Sequence, residues 1–295
     1  MTPKLDTILI GIDLTPPSID CAAWTAQTFA PDSGLILAHV LETQRILSFF
    51  SPSQAKRKTE QIRAEVGERL AKLRSDFGAD RVEVRFADGS TGVELVKLAE
   101  ELGADAISIG ADREGIAGGL MGSTVSSVIG RATVPVLIAH DVPDHPPRRI
   151  LVAVDETEGA RRVLAWAGAL AERFDANGTV VTAIEPPGIP VNQTLFSSEE
   201  EYREARNDVV DRARERVRAT MEEASVDPAR FTAEARYGRP EQEIISVARD
   251  LGADLIVLGT RGFTHGQALM VGSVSRRVIE ASECPVFVVP SVPRS

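Results

Sequence analysis

The residues whose types and spacing best suit chemistry are Gly259, Gly262, Gly272 and Ser273, in the pattern Gly-x2-Gly-x9-Gly-Ser. An apolar run, Leu255-Ile256-Val257-Leu258, precedes them, and Val274, Val278 and Ile279 follow at helical spacing. The order reads as strand, glycine loop, helix. Glycines tolerate positive φ and let a ligand come close to the backbone. The first-turn amides and dipole of the following helix favour an anion such as phosphate. The spacing predicts Ser273 at the helix N-cap, its hydroxyl bonded to an orphan amide. The same residues also serve as a tight turn and a cap with no ligand. Asp155 closes a second apolar run, Ile150 to Val154. A carboxylate there either binds amides of the next helix or accepts a ligand hydroxyl.

These residues need a frame, and the chain supplies it twice. Apolar runs at residues 5–12, 34–41, 81–87, 104–110 and 134–139 alternate with helical patterns near 18–29, 54–77 and 92–102 and after Gly122-Ser123. The helix over 54–77 places Ile62, Val66, Leu70, Leu73 and Phe77 on one face, and that over 92–102 carries Val93, Val96, Leu98 and Ala99. Pro143-Asp144-His145-Pro146-Pro147 then reads as a linker. The order resumes with a strand from Arg149 to Val154, a helix from Glu158 to Phe174 and a strand from Gly178 to Glu185. A long helix over 198–224 follows, with Tyr202, Ala205, Val209, Ala213, Val217 and Met221 on one face, and then a strand from Arg230 to Tyr237. Leu102-Gly103-Ala104-Asp105 matches Leu251-Gly252-Ala253-Asp254, Gly122-Ser123 matches Gly272-Ser273, and Asp13 matches Asp155. The chain therefore reads as a duplicated α/β domain, 1–142 and 146–295, each half a parallel sheet with helices on both faces. In such doubly wound domains ligands bind beyond the carboxyl ends of the strands, where the strand order reverses.

The glycine pattern is similar to the ATP-binding signature of the universal stress protein family. The closing Cys284-Pro285-Val286-Phe287-Val288-Val289-Pro290 resembles that family's last strand. The resemblance implies five parallel strands per domain in the order 3-2-1-4-5, with the switch between the first and fourth. It implies that Asp155, Ile184, Gly259, Gly262, Gly272, Ser273, Val274 and Ser275 hold ATP, with or without Mg. By the repeat it extends to Asp13, Val40, Gly110, Gly122 and Ser123, with the backbone at Ile184 and Val40 meeting the adenine. It also implies pairing through the last strand, within the chain or across a homodimer. An apolar edge at Val134–Ala139 or Val286–Val289 would otherwise stand open.

Composition bounds the alternatives. With 295 residues, 43% hydrophobic and 26% charged, the chain suits two globular domains. A net charge of −10 opposes nucleic-acid binding. No apolar run is long enough to span a bilayer, and residues 1–6 contain no apolar leader, so a cytoplasmic protein is expected. Cys21 and Cys284 form no metal pair, and the histidines show no metal spacing. There is no Gly-x4-Gly-Lys-Ser/Thr motif, and the second half contains no lysine. Phosphoryl transfer needs a placed set of cations, metal carboxylates and a base, which cannot be assembled from these residues. An ATP-binding regulator is therefore the leading expectation. The alternatives are an interaction module of the same fold, or a slow ATPase or self-phosphorylating protein with Ser273 or Ser275 as acceptor.

The two sites are expected to differ. The first loop, Gly110-Ala111-Asp112-Arg113, is one residue shorter and puts Arg113 where the second has Gly262. A non-glycine residue forced to positive φ costs roughly 1–2 kcal/mol, and Asp112 adds negative charge. Arg113 is itself a possible phosphate partner, so the first domain is expected to bind ATP more weakly rather than not at all.

Overall fold

The computed structural model describes residues 3–42, 51–111, 121–155, 157–186, 196–260 and 271–291. The chain divides into two compact units between Pro146 and Pro147.

In the first unit β1 (Thr7–Gly11) leads into α1 (Pro16–Trp24), which runs on as a π turn, Thr25–Phe29. There follow β2 (Gly34–Leu41), α2 (Pro52–Asp76), β3 (Val82–Asp88), α3 (Thr91–Glu101), β4 (Ala106–Gly110), α4 (Ser123–Arg131) and β5 (Val136–Ala139). The strands are parallel, in the order β3-β2-β1-β4-β5. The second unit repeats the plan with β6 (Arg149–Ala153), α5 (Gly159–Phe174), β7 (Asn177–Ile184), α6 (Glu199–Glu223) and β8 (Phe231–Tyr237). It closes with α7 (Pro240–Leu251), β9 (Leu255–Gly259), α8 (Ser273–Ala281) and β10 (Val286–Val289). Its order is β8-β7-β6-β9-β10, again parallel. The inner strands β1, β4, β6 and β9 are apolar along nearly their whole length because both faces are covered.

The repeated Leu-Gly-Ala-Asp motif sets the strand ends. Gly103 (φ 71°) and Gly252 (φ 58°) take the left-handed conformation that stops α3 and α7. Two residues on, Asp105 Oδ2 accepts the amides of Asp6 and Thr7 at 2.9 and 3.0 Å. Asp254 Oδ2 accepts those of Arg148 and Arg149, both at 2.9 Å. Each aspartate thus fastens the start of its unit's first strand to the start of the fourth. The opposite, carboxyl ends of those two strands are where the order reverses.

Helix faces match the sequence reading only in part. The buried face of α3 is Gly92, Leu95, Val96 and Ala99, while Val93 is 39% exposed. On α6 burial begins at Ala213 and continues at Val217 and Met221, and Val209 is 38% exposed. On α2 Leu70 is the one fully buried residue among those described, with Phe77 buried just beyond the helix, and Ile62, Val66 and Leu73 are half-buried. The reason is length. A 25-residue helix runs about 37 Å, whereas the seven- or eight-residue strands beside it run about 25 Å. The periodicity marks a stripe, but the first turns have no sheet beneath them.

Candidate functional site

The register places the candidate residues side by side. Ala153 of β6 pairs with Leu258 of β9, so Asp155 and Gly259 leave neighbouring strands at one edge. In the first unit Gly11 pairs with Ile109, which brings Asp13 beside Gly110 in the same way. Each aspartate opens a small turn. Asp155 Oδ1 accepts the amide of Thr157 at 3.1 Å and also its hydroxyl. Asp13 Oδ1 accepts the amide and hydroxyl of Thr15 at 2.9 and 2.6 Å. The sequence signal for this turn is the repeated Asp-x-Thr, at Asp13 to Thr15 and Asp155 to Thr157.

The two carboxylates then differ. Asp155 is half-buried, and its Oδ2 is fully buried with no hydrogen-bond partner among the described residues. Asp13 lies at the surface. Partial desolvation raises the Asp13 pKa. Hydrogen bonds from Ser18, from the Thr15 hydroxyl and from the amides of Thr15 and Asp13 outweigh it and leave the group below the usual carboxylate range.

The loop after each fourth strand leads into a short helix, α8 in the second unit and α4 in the first. Its N-cap is glycine, not the expected serine: Gly272 for α8 (φ −59°, ψ 148°) and Gly122 for α4 (φ −50°, ψ 147°). Ser273 and Ser123 are the first helical residues, both exposed. Neither helix has a side-chain cap or an acidic residue in its first turn. Any residue adopts those dihedrals, so conformation does not require glycine there. A Cβ on Gly122 would meet nothing within 4 Å, so packing does not require it either. At Gly122 the absent side chain leaves open space beside the first turn of α4. Gly110 is different. A Cβ on it would lie 2.6 Å from the Pro17 carbonyl oxygen, so this glycine lets the N-terminus of α1 close on β4.

The serine hydroxyls are not equivalent. Ser275 is buried and donates to the Gly259 carbonyl at 2.7 Å. Its counterpart in the first unit is Val125, an apolar core residue. At the end of the second strands, Ile184 accepts from the Gly238 amide at 3.0 Å, as Leu41 accepts from Gly89 at 3.1 Å. The counterpart of Ile184 is therefore Leu41, and Val40 corresponds to Ala183, one residue off the pairing the sequence suggests. Gly262, Asp112 and Arg113 lie outside the described residues. No cluster of three or more metal-ligating side chains occurs among the described residues.

Each unit is thus a doubly wound α/β domain with an aspartate just beyond the carboxyl end of its first strand, and it is beyond those strand ends that folds of this kind bind ligands. The universal stress protein family model matches residues 4–140 and 147–290. The chain belongs to the universal stress protein family, as a tandem pair. It is 37% identical over 137 residues to Universal stress protein G of Escherichia coli O157:H7, covering 45% of this chain and 96% of that one. It is also 37% identical over 142 residues to a universal stress protein of Thermus aquaticus, covering 48% of this chain and 98% of that one. Among solved structures, a universal stress protein from Archaeoglobus fulgidus matches with a TM-score of 0.67 at 20% identity, covering 96% of each chain. That likeness concerns the fold. No described helix is long and apolar enough to cross a membrane.

Proposed function

We infer that the second unit binds an adenine nucleotide, ATP in the first instance, and that the protein is a cytoplasmic, nucleotide-responsive regulator. The observation that carries this reading is the buried, unpartnered Oδ2 of Asp155, taken with the uncapped first turn of α8, the helix that follows the neighbouring strand β9. A buried acceptor with no donor costs about 1–3 kcal/mol, and a ribose hydroxyl donating to Asp155 removes that cost. The amides of Ser273, Val274 and Ser275 take the phosphates, favoured by the helix dipole. Gly272 keeps the approach clear. Mg, when bound with ATP, neutralises phosphate charge, while the protein groups hold the ribose and the anion. Bound nucleotide stabilises the folded unit in proportion to its concentration, which gives the protein a readable response to nucleotide level.

The test is direct. Freshly purified protein is denatured and the released small molecules are chromatographed, and the nucleotide-free chain is then heated with and without ATP. Released adenine nucleotide and a rise in Tm with ATP are expected. No nucleotide and no shift would refute the reading and leave an interaction module of the same fold.

A further inference from the structure

Three hydroxyls at the base of the second unit's glycine loop have no counterpart in the first. Thr260 follows β9, Ser275 lies in the first turn of α8, and Ser291 follows β10. Thr260 Oγ1 lies 2.9 Å from Ser291 Oγ and accepts the Ser291 amide at 3.1 Å. The Thr260 carbonyl accepts the Gly272 amide at 2.8 Å. Ser275 Oγ donates to the Gly259 carbonyl at 2.7 Å. Together these bonds tie the end of β9 to the start of α8 and to the end of β10. The repeat puts Ala111, Val125 and Asp141 at the three positions. The first unit keeps one backbone bond in common, Ala111 N to Ala139 O at 3.2 Å, matching Thr260 N to Val289 O at 3.0 Å. Among the described residues it shows no bond from Gly122 to Ala111.

We propose that Thr260, Ser275 and Ser291 are positioning residues for phosphate in the second site, a hydroxyl clasp that fixes the α8 amides relative to Asp155. This rests on the nucleotide-binding reading above. None of the three hydroxyls needs to touch the ligand. Ser275 in particular is buried with its proton committed to Gly259, so it contributes its amide to an anion and its side chain to the frame. Preorganised donors lose less freedom on binding than donors that must first be ordered. Adenosine has no phosphate to place and depends on Asp155 instead, so the clasp matters to ATP and not to adenosine.

The experiment compares ATP and adenosine affinities in the full chain for wild type, Ser275→Ala, Ser275→Thr and the triple variant Thr260→Val/Ser275→Ala/Ser291→Ala. Ser275→Ala is expected to weaken ATP roughly fivefold, the worth of one neutral hydrogen bond. The triple variant should weaken it by about tenfold or more, with adenosine unchanged. Ser275→Thr keeps the hydroxyl and should retain wild-type ATP affinity. Equal losses for ATP and adenosine would mean that the clasp merely holds the unit together, and would overturn the proposal. So would ATP affinity unchanged in the triple variant. If the wild-type chain binds no ATP, the site reading itself falls and the clasp's role falls with it; wild-type binding with unaltered variants defeats the clasp alone.

Discussion

The two switch points share a backbone plan and diverge in the groups that would meet a ligand. In the second unit Asp155 holds a buried, unpartnered oxygen and the neighbouring loop base is tied by Thr260, Ser275 and Ser291. In the first, Asp13 sits at the surface, its charged form already stabilised by local hydrogen bonds, and the loop base carries alanine, valine and aspartate. The cores diverge the other way. The first unit buries a polar cluster, with Thr25 Oγ1 2.8 Å and Cys21 Sγ 3.3 Å from Ser108 Oγ. The corresponding residues of the second unit, Ala167, Val163 and Val257, are buried and apolar. The two units share a scaffold and place these hydroxyl groups differently, at the carboxyl ends of the strands in the second and within the core in the first.

The largest expected effect comes from blocking one helix start and not the other. At a hundredfold excess over Kd, ATP should stabilise the wild-type second unit by about 2.7 kcal/mol. Gly272→Val should remove most of that. Gly122→Val, at a position where a Cβ meets nothing within 4 Å, should leave it intact. Thermal shifts of both variants with and without ATP check this, and equal losses would erase the distinction between the sites.

A smaller effect is expected from the core contrast. Ser108→Ala leaves the buried Thr25 hydroxyl without its 2.8 Å partner and should destabilise the first unit by about 1–2 kcal/mol. Urea unfolding with a probe in each unit reads this. The second unit should be unmoved, and a shift there of the same size would contradict the assignment of the cluster to one unit's stability.

How far the sequence carried this account depends on the kind of signal. Element order and strand direction were legible because buried parallel strands are continuous apolar runs and the pattern occurs twice. Helix faces were less so. Val209 fits the stripe yet stands exposed, since periodicity says which side of a helix is apolar and not how far the sheet extends beneath it, and Val93 is exposed beside the face that α3 buries, Gly92, Leu95, Val96 and Ala99. Ser273 was expected as a cap because serine favours that position, but the chain turns one residue earlier, at Gly272. The clasp was illegible because Thr260 and Ser291 are 31 residues apart and meet only when β9 and β10 pair. The differing oxygens of Asp13 and Asp155 depend on burial, which the shared Asp-x-Thr motif does not reveal.

A separate effect, confined to alkaline pH, is expected from the two buried thiols. Burial pushes the Cys21 thiol up to about 11. Burial, reinforced by the nearby Asp254 and Glu283 charges, pushes Cys284 up to about 12 against an opposing hydrogen bond from Ser282. Both folded values lie above the unfolded value, so the stability they contribute is full below about pH 8.5. It falls as pH rises, because the unfolded chain releases its protons first. Cys284→Val restores the residue found at the matching position, Val134, and should flatten the loss of the second unit's stability between pH 9 and the Cys284 value of about 12. Denaturant midpoints across that range would show it, and an unchanged slope would mean that Cys284 does not titrate with unfolding.

Calorimetric titration of the full chain with ATP decides whether the buried Asp155 oxygen, and not Asp13, marks the nucleotide site. Wild type, Asp13→Ala and Asp155→Ala are compared. One tighter site per chain is expected, kept by Asp13→Ala and weakened by about ten- to a hundredfold in Asp155→Ala, the range for a hydrogen bond to a charged group. Two equal sites, or loss of the tighter one on Asp13→Ala with Asp155→Ala unaffected, would contradict it.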